Sequence, residues 1–300
     1  MTRTAVSIQD ELDRAMKKIP LLSTAANGVK STLHGLVMAG GQPVRRVADV
    51  LHGTWLGHPL HPVLTDITIG AWTLAPLFDL LGLMGRSKGA RETGDRLVAL
   101  GTASAAATAV TGWADFSTIP NPAARTGLVH GVLNVCALVL NVLSMGARRK
   151  GNHVGGTLTS MFALSVATLS AYLGGDLVFR HKVGVNHAPA HRGKPEDWTR
   201  VLPEGELIEH TPIRIEVEDV PVLLYRYGGM VYALGATCSH AGGPLEQGMF
   251  DGTCVECPWH QSVFDLRDGA VVHGPATYQQ PTYQTRIEDG QIELRAVPAG

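Results

Sequence analysis

Two cysteines and two histidines stand in matched pairs late in the chain. They are Cys238-Ser239-His240 and, after sixteen intervening residues, Cys257-Pro258-Trp259-His260. Thiolate sulfur and imidazole nitrogen are both transition-metal donors. A mononuclear zinc site with two Cys and two His usually pairs Cys with Cys and His with His. Here each motif brings one of each. That suits a [2Fe–2S] cluster in which one iron takes both sulfurs and the other both nitrogens. With all four positions filled by protein, the iron keeps no open site for substrate. The chemistry expected is one-electron transfer.

The flanking residues carry a resemblance. Ala241-Gly242-Gly243-Pro244-Leu245 and Gly248 follow the first motif; Ser262, Phe264, Asp265 and Gly269 follow the second. Over roughly residues 204–298 the chain resembles the Rieske iron–sulfur family, which implies Cys238, His240, Cys257 and His260 as cluster ligands. Respiratory members of that family carry a further cysteine in each loop, joined as a disulfide. Here the first loop continues as Ala241-Gly242-Gly243, Trp259 lies between Pro258 and His260, and Cys254 has no counterpart. The pattern resembles the ferredoxin and oxygenase type. Ser262-Val263-Phe264 also lacks the tyrosine hydroxyl that raises the potential of the respiratory type. A potential toward the lower part of the Rieske range of roughly −150 to +300 mV is expected.

The elements that must hold these loops are short and strand-like: 213–217, 222–227, 230–234, 263–266, 270–272, 283–288 and 291–295. Gly228-Gly229, Asp268-Gly269 and Asp289-Gly290 read as hairpin turns between them. Ahead of this β region run four apolar segments, at about 62–84, 97–116, 127–146 and 154–177, each with the roughly 20 residues needed to cross a bilayer. The second is built of small residues, Gly101-Thr-Ala-Ser-Ala-Ala-Ala-Thr-Ala and then Gly112, which let helix backbones approach closely. A buried soluble four-helix bundle is the alternative. Short connections bearing Arg86, Lys88, Arg91 and Arg148-Arg149-Lys150 favour membrane spans.

Ionisable groups gather at one end of these spans. His58 and His61 open the first, with Asp66 a turn inside, and Asp115 closes the second. His130 opens the third, with Asn134 deeper on the same face, and Asp176 closes the fourth before His181 and His187. Gly57-His58-Pro59-Leu60-His61-Pro62 with Thr65-Asp66, Gly112-Trp113-Ala114-Asp115, His130-Gly131 and Gly174-Gly175-Asp176-Leu177 resemble the uncharacterised DUF2231 family over about residues 50–187. Intramembrane ionisable groups usually mark function. A b-type haem with axial ligands drawn from His58, His61, His130 and His181 is one reading. A non-haem metal held by His with Asp66 or Asp115 is a second, and helix caps with headgroup anchors are a third.

The expected architecture is therefore α+β and multidomain, a four-helix transmembrane bundle followed by a small antiparallel β Rieske domain. The boundaries expected are an amphipathic segment at 1–57, the four-span domain at 58–187, a polar linker at 188–203 and the Rieske domain at 204–298. Hydrophobic residues make up 45% of the chain and charged residues 17%, and the net charge of −1 offers no case for nucleic acid. The first thirty residues do not read as a secretory signal. The function expected is a membrane electron-transfer protein passing single electrons between the cluster and a second centre in the bundle. The alternatives are a membrane oxygenase or quinone oxidoreductase, and a non-enzymatic redox sensor. A lipid bilayer, an unidentified redox partner or quinone and a homo-oligomer are the partners expected. An even number of spans puts both termini on one side, expected to be the cytoplasm.

Overall fold

The structure, a computed structural model, describes residues 8–85, 87–188 and 194–297. Three helices come first, α1 (Ile8–Lys17), α2 (Pro20–Ala39) and α3 (Gly41–His52). Four long ones follow: α4 (Leu60–Met84), α5 (Lys88–Ser117), α6 (Ala124–Arg149) and α7 (His153–Phe179). The strands are β1 (Thr199–Pro203), β2 (Ile213–Val217), β3 (Val220–Tyr227), β4 (Met230–Gly235), β5 (Met249–Asp251), β6 (Cys254–Glu256), β7 (Val263–Asp265), β8 (Val271–His273), β9 (Thr282–Glu288) and β10 (Gln291–Ala296). Two compact units result. One gathers α1, α2 and α4–α7; the other gathers α3 and the strands.

The first unit is two helical hairpins, α4–α5 and α6–α7, with α2 packed on α5 and α6. All four long helices are long and apolar enough to cross a membrane. They outrun the apolar windows because their ends are charged. Lys88, Arg91 and Asp95 extend α5 from a cap at Ser87, whose hydroxyl accepts from the Ala90 amide. Asn152 caps α7 in the same way by accepting from the Gly155 amide at 2.9 Å. Pro20 opens α2, as its fixed φ and missing amide allow.

Burial in this unit is inverted. Ala75, Ala137 and Ala163 are fully buried, while Leu77, Leu81, Leu143, Leu158 and Phe162 are at least half exposed. Only a solvent as apolar as leucine makes that arrangement stable. The helices therefore form a multi-pass membrane domain. Trp72 packs among buried Ala105, Ala137 and Ala167, and it fits because position 101 is glycine. A Cβ there would fall 2.4 Å from the indole.

The second unit is antiparallel throughout its two sheets. The larger has the order β1-β10-β9-β4-β3-β2 and the smaller β5-β6-β7-β8. Leu223, Leu234, Val255 and Phe264 form one core beneath the cysteine loops, and Val222, Leu224, Ile292 and Leu294 form another. Each expected strand has an observed counterpart. Strands β1, β5 and β6 were not anticipated. β1 falls within the stretch expected as a linker, of which residues 189–193 lie outside the described residues. α3, expected to belong with the amphipathic N-terminal segment, packs instead on β8.

Candidate metal centre

The two cysteine loops are one turn built twice. After β4 the Cys238 amide donates to the Gly243 carbonyl at 2.8 Å, and the Gly242 amide returns to Cys238 at 2.9 Å. Between β6 and β7 the Cys257 amide donates to Ser262 at 2.8 Å, and Gln261 returns to Cys257 at 3.1 Å. The fifth residue of each turn is left-handed, φ +82° at Gly242 and +58° at Gln261. A β-carbon at Gly243 would lie 2.7 Å from the Cys257 sulfur, so glycine there keeps the space between the loops open.

This geometry brings the four donors together. Cys238 and Cys257 are 1% and 2% exposed, and the His240 and His260 rings meet edge to face with centroids 5.0 Å apart. Among the described residues no three His, Cys, Asp or Glu side chains close on a single ion. The donors pair instead, sulfur with sulfur and imidazole with imidazole, which is what a two-iron cluster asks of them.

The electrostatics favour thiolate on one side. Cys238 donates to Cys257, which with burial pushes the Cys238 thiol up. Accepting that bond draws Cys257 down to about 7 against its own burial, helped by the amides of Trp259 and His260. The amides of His240 and Ala241 aim at Cys238. Amides directed at cluster sulfurs stabilise negative charge there. His240 is pushed well below the usual imidazole value, first by burial and then by the neighbouring His260, His52 and His187.

Sequence reasoning missed Gln280, Asp49 and Arg45 among the residues that hold this region together. Buried Gln280 accepts from the Ser239 amide at 3.0 Å and donates to the Gly235 and Thr237 carbonyls. Ser239 Oγ donates to the Tyr278 carbonyl, and Ser262 Oγ accepts from the Ala276 amide. From α3, Asp49 accepts from His273 Nδ1 at 2.8 Å and from the Gly274 amide at 2.7 Å, while Arg45 donates to the Gln261 carbonyl. His187 binds beside the first loop through its amide to the Ser239 carbonyl at 2.9 Å.

The four membrane-end histidines have different surroundings. His58 belongs to the second unit, is exposed, and turns Nδ1 to the Pro59 carbonyl. His181 faces buried Asp176 at 3.6 Å. His61 and His130 are brought together in the bundle with ring centroids 6.4 Å apart. Asp66 is exposed and Asp115 half-buried.

At the far end of the bundle Arg148 makes a buried bidentate pair with Asp79. It also reaches Asp95, Ser144 and Ser160. These positions reveal a duplication. His61-x-Val-Leu-Thr65 recurs 69 residues later as His130-x-Val-Leu-Asn134, and the same offset carries Asp79 onto Arg148. Thr108-Ala109 and Gly112 recur 62 residues later as Ser170-Ala171 and Gly174, and that offset carries Gly94 onto Gly156. Six identities between the hairpins, His, Val and Leu at one offset and Gly, Ala and Gly at the other, were the signal available in the sequence.

Residues 197–284 match the family model described as Rieske [2Fe-2S] domain, and residues 57–187 match the one described as Predicted membrane protein (DUF2231). The anthranilate 1,2-dioxygenase ferredoxin subunit of Burkholderia cepacia is 34% identical over 98 residues, 33% of this chain and 91% of its own length. The 3-phenylpropionate/cinnamic acid dioxygenase ferredoxin subunit of Escherichia coli O139:H28 is 36% identical over 92 residues, 30% of this chain and 81% of its own. Among solved structures, the ferredoxin of carbazole 1,9a-dioxygenase from Nocardioides aromaticivorans IC177 shares 32% identity. The match covers 34% of this chain and 98% of that one, with a TM-score of 0.32. These relatives are similar to about the last third of the chain.

Proposed function

The chain belongs to the Rieske [2Fe-2S] family in its ferredoxin type, carried on a DUF2231 membrane domain, and from that premise we propose a membrane-bound electron-transfer protein. It passes single electrons between the Rieske cluster and a second redox centre, a b-type haem, at the histidine-rich end of the bundle. When bound, the cluster supplies a one-electron couple. Cys238 and Cys257 would hold one iron and His240 and His260 the other. The observation that carries this is the pair of identical turns, each aiming amides at a buried sulfur. Gln280, Ser262 and Arg45 keep those turns in register and so hold the donors still.

The relatives are named as ferredoxin components of dioxygenase systems. An oxygenase, or a quinone in the bilayer, is accordingly the kind of acceptor we infer. A bundle-bound non-haem iron is less favoured. Among the described residues no three His or carboxylate groups converge there, and such a site usually takes two His and a carboxylate.

The decisive test is electron paramagnetic resonance of the dithionite-reduced, detergent-purified protein. A rhombic Rieske signal is expected in the parent and absent after His240→Ala or His260→Ala. Its survival in both variants would sink the ligand assignment.

Orientation rests on the cysteines. None of the four is in a disulfide, as suits a reducing compartment, and both termini are proposed to be cytoplasmic. A fluorescent reporter fused at Gly300 should glow and a periplasm-dependent phosphatase there should be silent. The reverse pair of results flips the topology.

A further inference from the structure

The bundle is one hairpin used twice, and its two ends show what became of positions that face their own copies. At one end the duplicated position holds Asp79 in the first hairpin and Arg148 in the second. Opposite charges satisfy each other, and both side chains are only 3% exposed. At the other end both copies hold histidine. Two like groups do not complete each other.

The tautomers make this concrete. His61 Nδ1 lies 3.0 Å from the Thr108 carbonyl on α5, and His130 Nδ1 lies 2.8 Å from the Ser170 carbonyl on α7. A carbonyl only accepts, so Nδ1 carries the proton in each ring and Nε2 carries the lone pair. Asn134 agrees, since its amide nitrogen donates to His130 Nε2 at 3.0 Å. Each ring sits in a glycine notch of its own hairpin. Cβ atoms at Gly112 and Gly174 would fall 2.9 and 3.1 Å from the Cε1 of His61 and His130. Each Nδ1 edge is thus committed to its own hairpin, and a metal held at the two Nε2 positions would take the place of the Asn134 amide at His130. An Nδ1–H bonded to a backbone carbonyl is the usual support of a metal-ligating histidine.

Two facts choose the occupant. Metal–nitrogen bonds of about 2.0–2.1 Å on both sides, with the ring radii added, set two trans imidazoles roughly 6 Å apart between centroids. The observed separation is 6.4 Å. Among the described residues no third His, Cys, Asp or Glu joins the pair. A bare ion normally takes three or four protein donors, whereas a haem iron brings four nitrogens of its own and asks for two axial ligands.

Resting on the second-centre reading above, we propose that His61 and His130, duplicates facing each other across the seam between the hairpins, are the axial pair of one haem, and that His58 and His181 are not ligands. The test is the optical and low-temperature paramagnetic spectrum of full-length protein expressed with haem supplementation and purified in detergent.

A low-spin six-coordinate haem is expected, retained in His58→Ala and His181→Ala. In His61→Gly and His130→Gly it should be lost or become high-spin while the Rieske signal, which reports an intact β unit, persists. Added imidazole should restore the low-spin spectrum in these glycine variants. A haem unchanged in both glycine variants overturns the pair and leaves a haem-containing carrier standing. A bare metal ion in place of haem, or neither, overturns the proposal. A haem held as proposed that exchanges no electron with the cluster in rapid-mixing experiments fails the carrier reading alone.

Discussion

The bundle and the β unit bury opposite kinds of side chain. Inside the bundle are alanines, Thr111, Asn141, Ser144, Asp79 and Arg148, with leucines and valines outside. Inside the β unit are Leu223, Leu224, Leu234, Phe264 and Ile292, with polar residues over most of the outside. The same alphabet is used inside out because the solvents differ. In water the large apolar side chains supply the driving force. In lipid they gain little by being inside, and close backbone approach with satisfied polar groups holds the helices instead.

The harshest way to break this comparison is at Asp79. Replacing it by leucine leaves Arg148 buried with only Asp95 to answer its charge, and loss of one partner of a buried pair costs about 3–5 kcal/mol. Unfolding followed in detergent should show the bundle destabilised while the Rieske signal remains. Adding Arg148→Met to that variant should recover most of the loss. A single variant as stable as the parent would mean that the pair is solvated and the interior is not dry.

A matched pair of leucines measures the solvents directly. Leu224→Ala, at a fully buried site between β2 and β4, should cost about 2–5 kcal/mol. Leu143→Ala, on a bundle surface left 60% exposed, should cost less than about 0.5 kcal/mol in a bilayer. Chemical denaturation of the two variants in liposomes checks the contrast. Equal losses would place Leu143 against protein.

What could be read from the sequence divides along the same line. Apolar length announced the four spans, and strand alternation with Gly-Gly and Asp-Gly turns announced β2–β4, β9 and β10. The three-residue strands β5 and β6 went unread, although β7 and β8, equally short, were expected. At α5 the apolar window stopped at Leu97, but capping and charge carried the helix back to Lys88. The Cys-x-His and Cys-x-x-His motifs pointed to the candidate ligands. They could not point to Gln280 or Asp49, which reach the loops from distant positions and carry no spacing signal. The bundle histidines were visible only as an end-of-span cluster. Selecting His61 and His130 from it took their facing geometry and the duplicate hairpins.

The gentlest test of the comparison is salt. Asp265 beside β7 takes the exposed Arg267 guanidinium and the Arg267 amide, which together hold its carboxyl below the usual carboxylate value. A lowered folded value means that this contribution to stability is fully present above the unfolded value near pH 4. It is lost as pH falls through the lowered one. Arg267→Ala should therefore move the acid limb of unfolding of the β unit upward in pH and change little at pH 7 beyond a small loss. Because the Arg267 guanidinium faces water, raising salt from 0.1 to 1 M, which shortens the screening length from about 10 to about 3 Å, should shrink the difference between variant and parent. The Asp79–Arg148 pair, closed off from water, should show no such salt dependence. An acid limb that moves down, or an Asp79 effect that fades with salt as the Arg267 effect does, would mean that the two ion pairs share one solvent.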